Sequence, residues 1–270
     1  MKRWEGEMTL AEQIDDLVQR GFSVDQAETV VLMREAAIAL FRAWPESFLL
    51  YGGANLILFH GSVRHSSDLD LLLRSDELPT VEQVGEVLST GLEPLSGLLN
   101  IDPLRITDLR VGNNALNVAV VTDDDRTVFT VDLARIGSVI ATGVEERPAD
   151  ALAGPGGAII KAVSRDYLLL QKAEAFIFRS RVKARDAYDI RLLVESGAVL
   201  DVNLRTHLSD SLAWREIEGE DIQNRIADVT EDLCRAELEE FLPERIYAPL
   251  AKAGFQPLRD SLSQLFKEWI

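Results

Sequence analysis

Apolar residues recur at helical spacing near the start of the chain and at strand spacing after it. Residues 9–20 place Leu10, Ile14, Leu17 and Val18 on one face. Residues 23–43 repeat the pattern with Val30, Val31, Ala37, Leu40 and Phe41. Each segment opens on a capping box, Thr9-x-x-Glu12 and Ser23-x-x-Gln26, in which side chains and backbone satisfy the free N–H groups of a helix start. Pro45 stops the second helix. The run Phe48-Leu49-Leu50-Tyr51 predicts a short buried strand that ends at Gly52-Gly53, with room for a two-turn helix over 54–60. A strand over 68–73, a helix over 80–91, and two strands over 115–122 and 126–136 follow. The polar turn Asp123-Asp124-Asp125 joins the last two. Strands alternating with helices from 48 to 136 predict a mixed α/β unit.

Pro148, Gly154, Pro155, Gly156 and Gly157 crowd into residues 145–157 and make the strongest break in the chain. Beyond it the pattern is helical, over 165–180 and 185–196 (with Gly197 at the C-terminal cap position) and near 220–242 and 257–268. There is no internal repeat. The organisation expected is therefore two N-terminal helices (1–46), an α/β (α+β) core (47–150) and a helical C-terminal domain (158–270).

Composition narrows the class. The chain has 270 residues, of which 47% are hydrophobic and 27% charged, a profile of folded rather than disordered protein. No apolar run is long enough to span a bilayer and the N-terminus lacks a signal-peptide core, so no membrane association and a cytoplasmic location are expected. Cys234 is the single cysteine, which excludes an internal disulfide and any cysteine-based zinc site. The net charge of −17 argues against broad, non-specific nucleic-acid binding. The charge is uneven, however. Residues 161–191 hold eight basic and four acidic side chains and sum to +4, leaving −21 for the rest.

Candidate chemistry starts at Asp68-Leu69-Asp70. Residues two apart on a strand point to one face, about 6.6 Å apart, so Asp68 and Asp70 project together while Leu69 and Leu71 face the other way. Two adjacent carboxylates repel unless a cation or proton separates them. Mg²⁺ (or Mn²⁺), in a pair about 4 Å apart, is the natural filling of a phosphoryl-transfer site. Asp132, charged within the apolar run Val128-Phe129-Thr130-Val131-Asp132-Leu133, is the candidate third carboxylate. Asp-x-Asp pairs also occur without function at loop-to-strand junctions. The upstream order is what separates this one. Gly52-Gly53 lies between a strand and a helix, where N–H groups and the positive helix end suit a triphosphate. Gly61-Ser62 makes a second flexible turn, with Ser62, Arg64 and Ser66 as phosphate donors.

The run from Leu50 through Gly52-Gly53 and Gly61-Ser62 to Asp68-Leu69-Asp70 resembles the first motif of the polymerase-β-like nucleotidyltransferase superfamily. Within it the chain is most similar to the AbiEii branch, the toxin half of bacterial type IV toxin–antitoxin modules. Val131-Asp132-Leu133 matches the strand of the third carboxylate, with Thr130 where a lysine is common two residues before it. Lys172-Ala173-Glu174-Ala175 resembles the helix whose lysine contacts the incoming nucleotide. Arg181-Val182-Lys183-Ala184-Arg185-Asp186-Ala187-Tyr188-Asp189 follows the Arg-x-Lys-x-Arg-Asp-x-x-Asp motif. The resemblance covers about 48 to 196. It implies a polymerase-β-like core, an NTP substrate, metal at Asp68, Asp70 and Asp132, Lys172 on the nucleotide phosphates, Arg185 as a further nucleotide-binding residue, and a cognate antitoxin as partner. Asp186 or Asp189 would orient Lys172 or act as a base.

Spacing supports the second cluster independently. Lys172, Phe176 and Arg179 lie at i, i+4 and i+7 on one helix face, and Asp186 and Asp189 share a face of the next helix, with Arg185 able to pair with Asp189. Plain surface ion pairing would give the same spacing. His60, His65 and His207 lack partner histidines and read as loop or core residues. Gly154–Gly157 reads as a hinge. Trp44, Trp214, Trp269, Phe176 and Phe178 are expected in the core rather than as base-stacking platforms. Three functions compete: transfer of a nucleoside monophosphate to RNA (possibly tRNA) or to a protein hydroxyl, transfer to a small molecule as in aminoglycoside nucleotidyltransferases, and an inactive interaction protein. The intact Asp68–Asp70 pair and Lys172 speak against the last.

Overall fold

The computed structural model describes residues 9–74, 77–99, 101, 103–111, 115–135, 143–152 and 156–270. It contains two compact units, Met1–Val163 and Ser164–Ile270.

The first unit runs α1 (Leu10–Gln19), α2 (Val24–Ala43), β1 (Phe48–Tyr51), α3 (Gly52–His60), β2 (Asp68–Leu73), α4 (Val81–Leu99), β3 (Arg105–Val111), β4 (Ala115–Val121), β5 (Thr127–Arg135), β6 (Val144–Asp150) and β7 (Gly157–Val163). Both predicted capping boxes are formed, at Thr9–Glu12 and Ser23–Gln26. The strands make one mixed sheet in the order β3-β4-β5-β2-β1-β7-β6. β2 is parallel to β5 and β1 to β7, while the other neighbours are antiparallel. Leu69, Leu71, Val131 and Leu133 enter a core with Ala37 and Phe41 of α2 and Val84, Leu88 and Leu92 of α4. Strand periodicity then leaves Asp68, Asp70 and Asp132 on the opposite face of the sheet.

Three strands escaped the sequence pattern. β3 has no clean alternation, and β6 is an edge strand with little buried side-chain surface, and an edge position tolerates Pro148. Its hairpin partner β7 is a short apolar run. Residues 158–163, expected in the helical domain, therefore belong to the sheet, and the stretch read as a boundary is flanked by paired strands. Residues 153–155 of the expected hinge lie outside the described residues. The N-terminal helices share the core of the sheet instead of forming a separate layer of their own.

The second unit is helical: α5 (Arg165–Phe178), α6 (Ala184–Glu195), α7 (Val202–Trp214), α8 (Gly219–Ala227), α9 (Glu231–Leu238), α10 (Glu244–Lys252) and α11 (Gln256–Leu265). The single helix expected over 220–242 is two, because Thr230 caps a new helix start with its side chain on the Leu233 N–H. α7 and α10 were not expected. Phe176 stacks on Phe266 with ring centroids 6.0 Å apart, and both are fully buried. Trp214 corrects an expectation, since it is 80% exposed rather than core. It is the last residue of α7, where the chain turns away. Among the described residues no helix is long and apolar enough to cross a membrane.

Candidate active site

Register assembles the first cluster. In the parallel β2–β5 pair, Asp70 lies beside Asp132 and Asp68 beside Thr130. The antiparallel neighbours extend the row, with Tyr51 of β1 opposite Asp70 and Asn117 of β4 opposite Asp132. One line across four strands thus reads Tyr51, Asp70, Asp132, Asn117, with Asp68 one step along on the same face. All three carboxylates are half-buried. Thr130 donates its hydroxyl to Asp68 Oδ1 at 2.8 Å, and Asn117 donates its amide Nδ2 to Asp132 Oδ1. A carboxylate with one oxygen held by a neutral donor can still present the other.

The glycines press against this row. Gly52 sits at φ +69°, and a Cβ there would meet Asp70 Oδ2 at 2.1 Å. A Cβ on Gly53 would meet Ser66 Oγ at 2.5 Å. Only glycine lets the start of α3 come this close. The N-cap, Tyr51, supplies no side-chain hydrogen bond to the helix start, which lies beside Asp70 and Ser66. Gly61 closes α3 in the left-handed conformation. Ser62, nearly fully buried, accepts the Arg64 N–H on its hydroxyl, while Arg20 Nη2 of the segment after α1 donates to the Ser62 carbonyl at 3.1 Å. Arg64 is buried too, donates Nη1 to the His65 carbonyl and reaches the neighbourhood of Gly53. Ser62 and Arg64 therefore shape the turn from inside, and Ser66 is the half-buried hydroxyl beside Gly53. Burial, reinforced by the Arg64 charge and opposed by Asp68, lowers the His65 pKa.

The second cluster lies wholly in the helical unit. Lys172 Nζ on α5 is 2.8 Å from Asp189 Oδ2 and 3.5 Å from Asp186 Oδ1, both on α6. Arg179 Nη1, just past the end of α5, is 2.8 Å from Asp186 Oδ2. Asp186 and Asp189 are essentially inaccessible. Two buried carboxylates are tolerable only because two cations face them. The expected Arg185–Asp189 pair does not form. Arg185 points to solvent at the first turn of α6, and among the described residues it has no ion pair, while Asp189 is turned to Lys172. The ends of both helices are tied by side chains from elsewhere in the unit. Arg225 donates to the Phe176 and Arg179 carbonyls at the end of α5, and Glu237 accepts the Ala184 N–H at the start of α6.

Among the described residues no three His, Cys, Asp or Glu side chains form a group that would itself hold a metal ion. The donor set is still right for one kind of ion. Mg²⁺ takes hard oxygen ligands, and in phosphoryl-transfer sites it uses one or two carboxylates and completes its shell with phosphate oxygens and water. Asp68 and Asp70, half-buried on one face beside Gly52-Gly53, fit that partial role. Sequence reasoning missed Asn117 and Arg20. Asn117 leaves a trace, as the polar member of the apolar strand Leu116-Asn117-Val118, but its pairing with Asp132 is a matter of register. Arg20 leaves none.

A mixed sheet carrying an Asp-x-Asp strand beside a third Asp strand and a Gly-Gly helix start is the architecture of a nucleotidyltransferase. The chain matches the family described as "Nucleotidyl transferase AbiEii toxin, Type IV TA system" over residues 38–268, and it belongs to that family. Solved structures share the fold. MenT4, a nucleotidyltransferase toxin from Mycobacterium tuberculosis, superposes with a TM-score of 0.56 at 17% identity, covering 94% of this chain and 90% of that one. A candidate nucleotidyltransferase from Helicobacter pylori gives 0.54 at 18%, covering 90% and 99%. JHP933, from the same organism, gives 0.50 at 16%, covering 88% and 93%. No curated protein matches. The family match starts after α1, so Arg20 comes from outside it.

Proposed function

We propose that this nucleotidyltransferase moves a nucleoside monophosphate from an NTP to a hydroxyl of an RNA, such as a tRNA end, or of a protein. In this reading it is a cytoplasmic toxin with a cognate antitoxin. The observation that carries the reading is the in-register row of Asp68, Asp70 and Asp132 facing the Gly52-Gly53 turn.

The residues divide the work by their chemistry. The N–H groups of Gly52 and Gly53, with Ser66 beside them, hold phosphate oxygens at the positive end of α3. Asp68 and Asp70 would hold Mg²⁺ or Mn²⁺, which when bound neutralises charge on the phosphates. Asp132 is the residue suited to take the acceptor proton, because Asn117 holds one of its oxygens and leaves the other available. The acceptor oxygen then bonds to the α-phosphorus, the α–β bridge breaks, and pyrophosphate leaves with the electron pair. Lys172, ion-paired with Asp189 and Asp186, is the residue we assign to nucleotide phosphates.

The test is transfer of label from each α-labelled NTP with Mg²⁺ and total tRNA, repeated with Asp68→Ala. We expect label on RNA and a loss on the order of 10³-fold in the variant. Label on a protein supports the other arm of the proposal. Label on an added aminoglycoside would instead make the acceptor a small molecule, an alternative that the net charge of −17 favours. An unaltered chain that binds NTP and transfers to nothing would defeat the proposal.

A further inference from the structure

Among the described tryptophans Trp214 stands out, 80% exposed. It ends α7, and the next residue, Arg215, lays its guanidinium over two rings. One is Phe178, 4.5 Å from the centroid, and the other is Trp214 itself, 5.6 Å away. Phe178 is the last residue of α5 and is half-buried, so two helix ends meet in an aromatic–arginine–aromatic patch. Arg225 fixes the backbone beneath it through the Phe176 and Arg179 carbonyls. The chain leaves Phe178 directly into the basic stretch Arg179–Arg185. Arg181 and Arg185 there are exposed, and neither they nor Arg215 has a carboxylate partner among the described residues.

We propose that this patch is the surface that takes the single-stranded end of an RNA acceptor, with bases stacking on Trp214 and Phe178 and phosphates on Arg215 and Arg181. The proposal rests on the transferase reading above for the word acceptor, though not for RNA binding itself. Three features of the patch suit that ligand. Stacking on aromatics and arginine planes is sequence-tolerant and is how single strands are held. The free guanidiniums supply charge complementarity that the rest of this acidic chain lacks. The patch is narrow, since Glu216 and Glu218 follow at once and both are exposed. Few phosphates can be neutralised there, which disfavours a duplex. Phe178 also lies six residues beyond Lys172 on α5, about 9 Å along the helix axis and about 120° round it, so the platform and the cation share one helix on different faces.

The experiment is fluorescence anisotropy of the full chain with a short fluorescein-labelled single-stranded RNA, and with its duplex, for the unaltered protein and for Trp214→Ala, Trp214→Phe and Arg215→Ala. Thermal unfolding checks each variant; Trp214→Ala should melt as the unaltered chain does, because the side chain is solvent-facing. We expect Trp214→Ala to weaken single-strand binding about tenfold, Trp214→Phe to keep most of it, and Arg215→Ala to lower the salt slope by about one. Equal binding by all variants, or a preference for duplex, overturns the inference. So does an unaltered chain that binds no RNA yet labels a protein, which would leave the transferase reading standing. Trp214-dependent RNA binding without any nucleotide transfer would support the inference and remove the transferase reading alone.

Discussion

Each unit carries its own set of aspartates, and the two sets are solved differently. In the sheet unit, Asp68, Asp70 and Asp132 are half-buried, and neutral donors, Thr130 and Asn117, hold Asp68 and Asp132. In the helical unit, Asp186 and Asp189 are sealed from water and matched by Lys172 and Arg179. In the first set no cation pairs with Asp68 or Asp132 among the described residues. The second spends its charge internally, on Lys172 and Arg179. Asp-x-Asp and Asp-x-x-Asp look alike in a sequence. Burial and the sign of the neighbours give them different roles.

The comparison breaks most visibly at Lys172. Lys172→Met takes a cation from two buried carboxylates while Arg179 stays on Asp186, and removing one partner of a buried pair costs about 3–5 kcal/mol. Denaturant unfolding should show that loss, with much of it recovered when Asp189→Asn is added. An unchanged midpoint would mean the cluster is wetter than its burial indicates. Next comes Gly52→Ala, which drives a Cβ into Asp70 and strains a positive φ. Displacing a reacting group by about 1 Å costs on the order of a hundredfold in rate, so transfer activity should fall that far. Gly197→Ala, at φ +86° with open space around it, is the matched control. It should cost only about 1 kcal/mol of stability.

Smaller effects sharpen the contrast. Asn117→Ala removes a hydrogen bond to a carboxylate, which costs about 1 kcal/mol of stability, and lets Asp132 turn, so kcat should drop about tenfold. An unchanged kcat would show that the row needs no help from β4. Cys234 tests burial without compensation. Its thiol is inaccessible, and burial, the largest cause, pushes its pKa up to about 11. The folded state therefore holds this proton more tightly than the unfolded one. Its contribution to stability is intact at neutral pH and is lost as pH rises from the ordinary thiol range towards 11. Ellman's reagent at pH 8 should leave the native protein unmodified and react on unfolding.

Periodicity carried the local structure where it was strong. The paired capping boxes, the alternating 115–135 hairpin and the two helices carrying the Lys172–Asp189 cluster were all visible, because each depends on residues a few positions apart. β3 and β6 were not, because an edge or irregular strand is defined by its neighbour more than by its own pattern. Helix breaks at 228–230 and 239–243 were also hidden inside one continuous apolar period.

For the site, the sequence alone determined the chemistry on offer: which side chains are carboxylates, which turns can be glycine-tight, and which face of β2 carries Asp68 and Asp70. Those follow from residue type and from the twofold period of a strand. Tertiary structure decided everything that depends on pairing over distance. It set Asp132 beside Asp70, brought Asn117 and Thr130 against the carboxylates, turned Asp189 to Lys172 rather than Arg185, and left Trp214 in water. The physical reason is that register and burial are properties of the whole packed unit, and no local pattern encodes which strand or helix will be next to another.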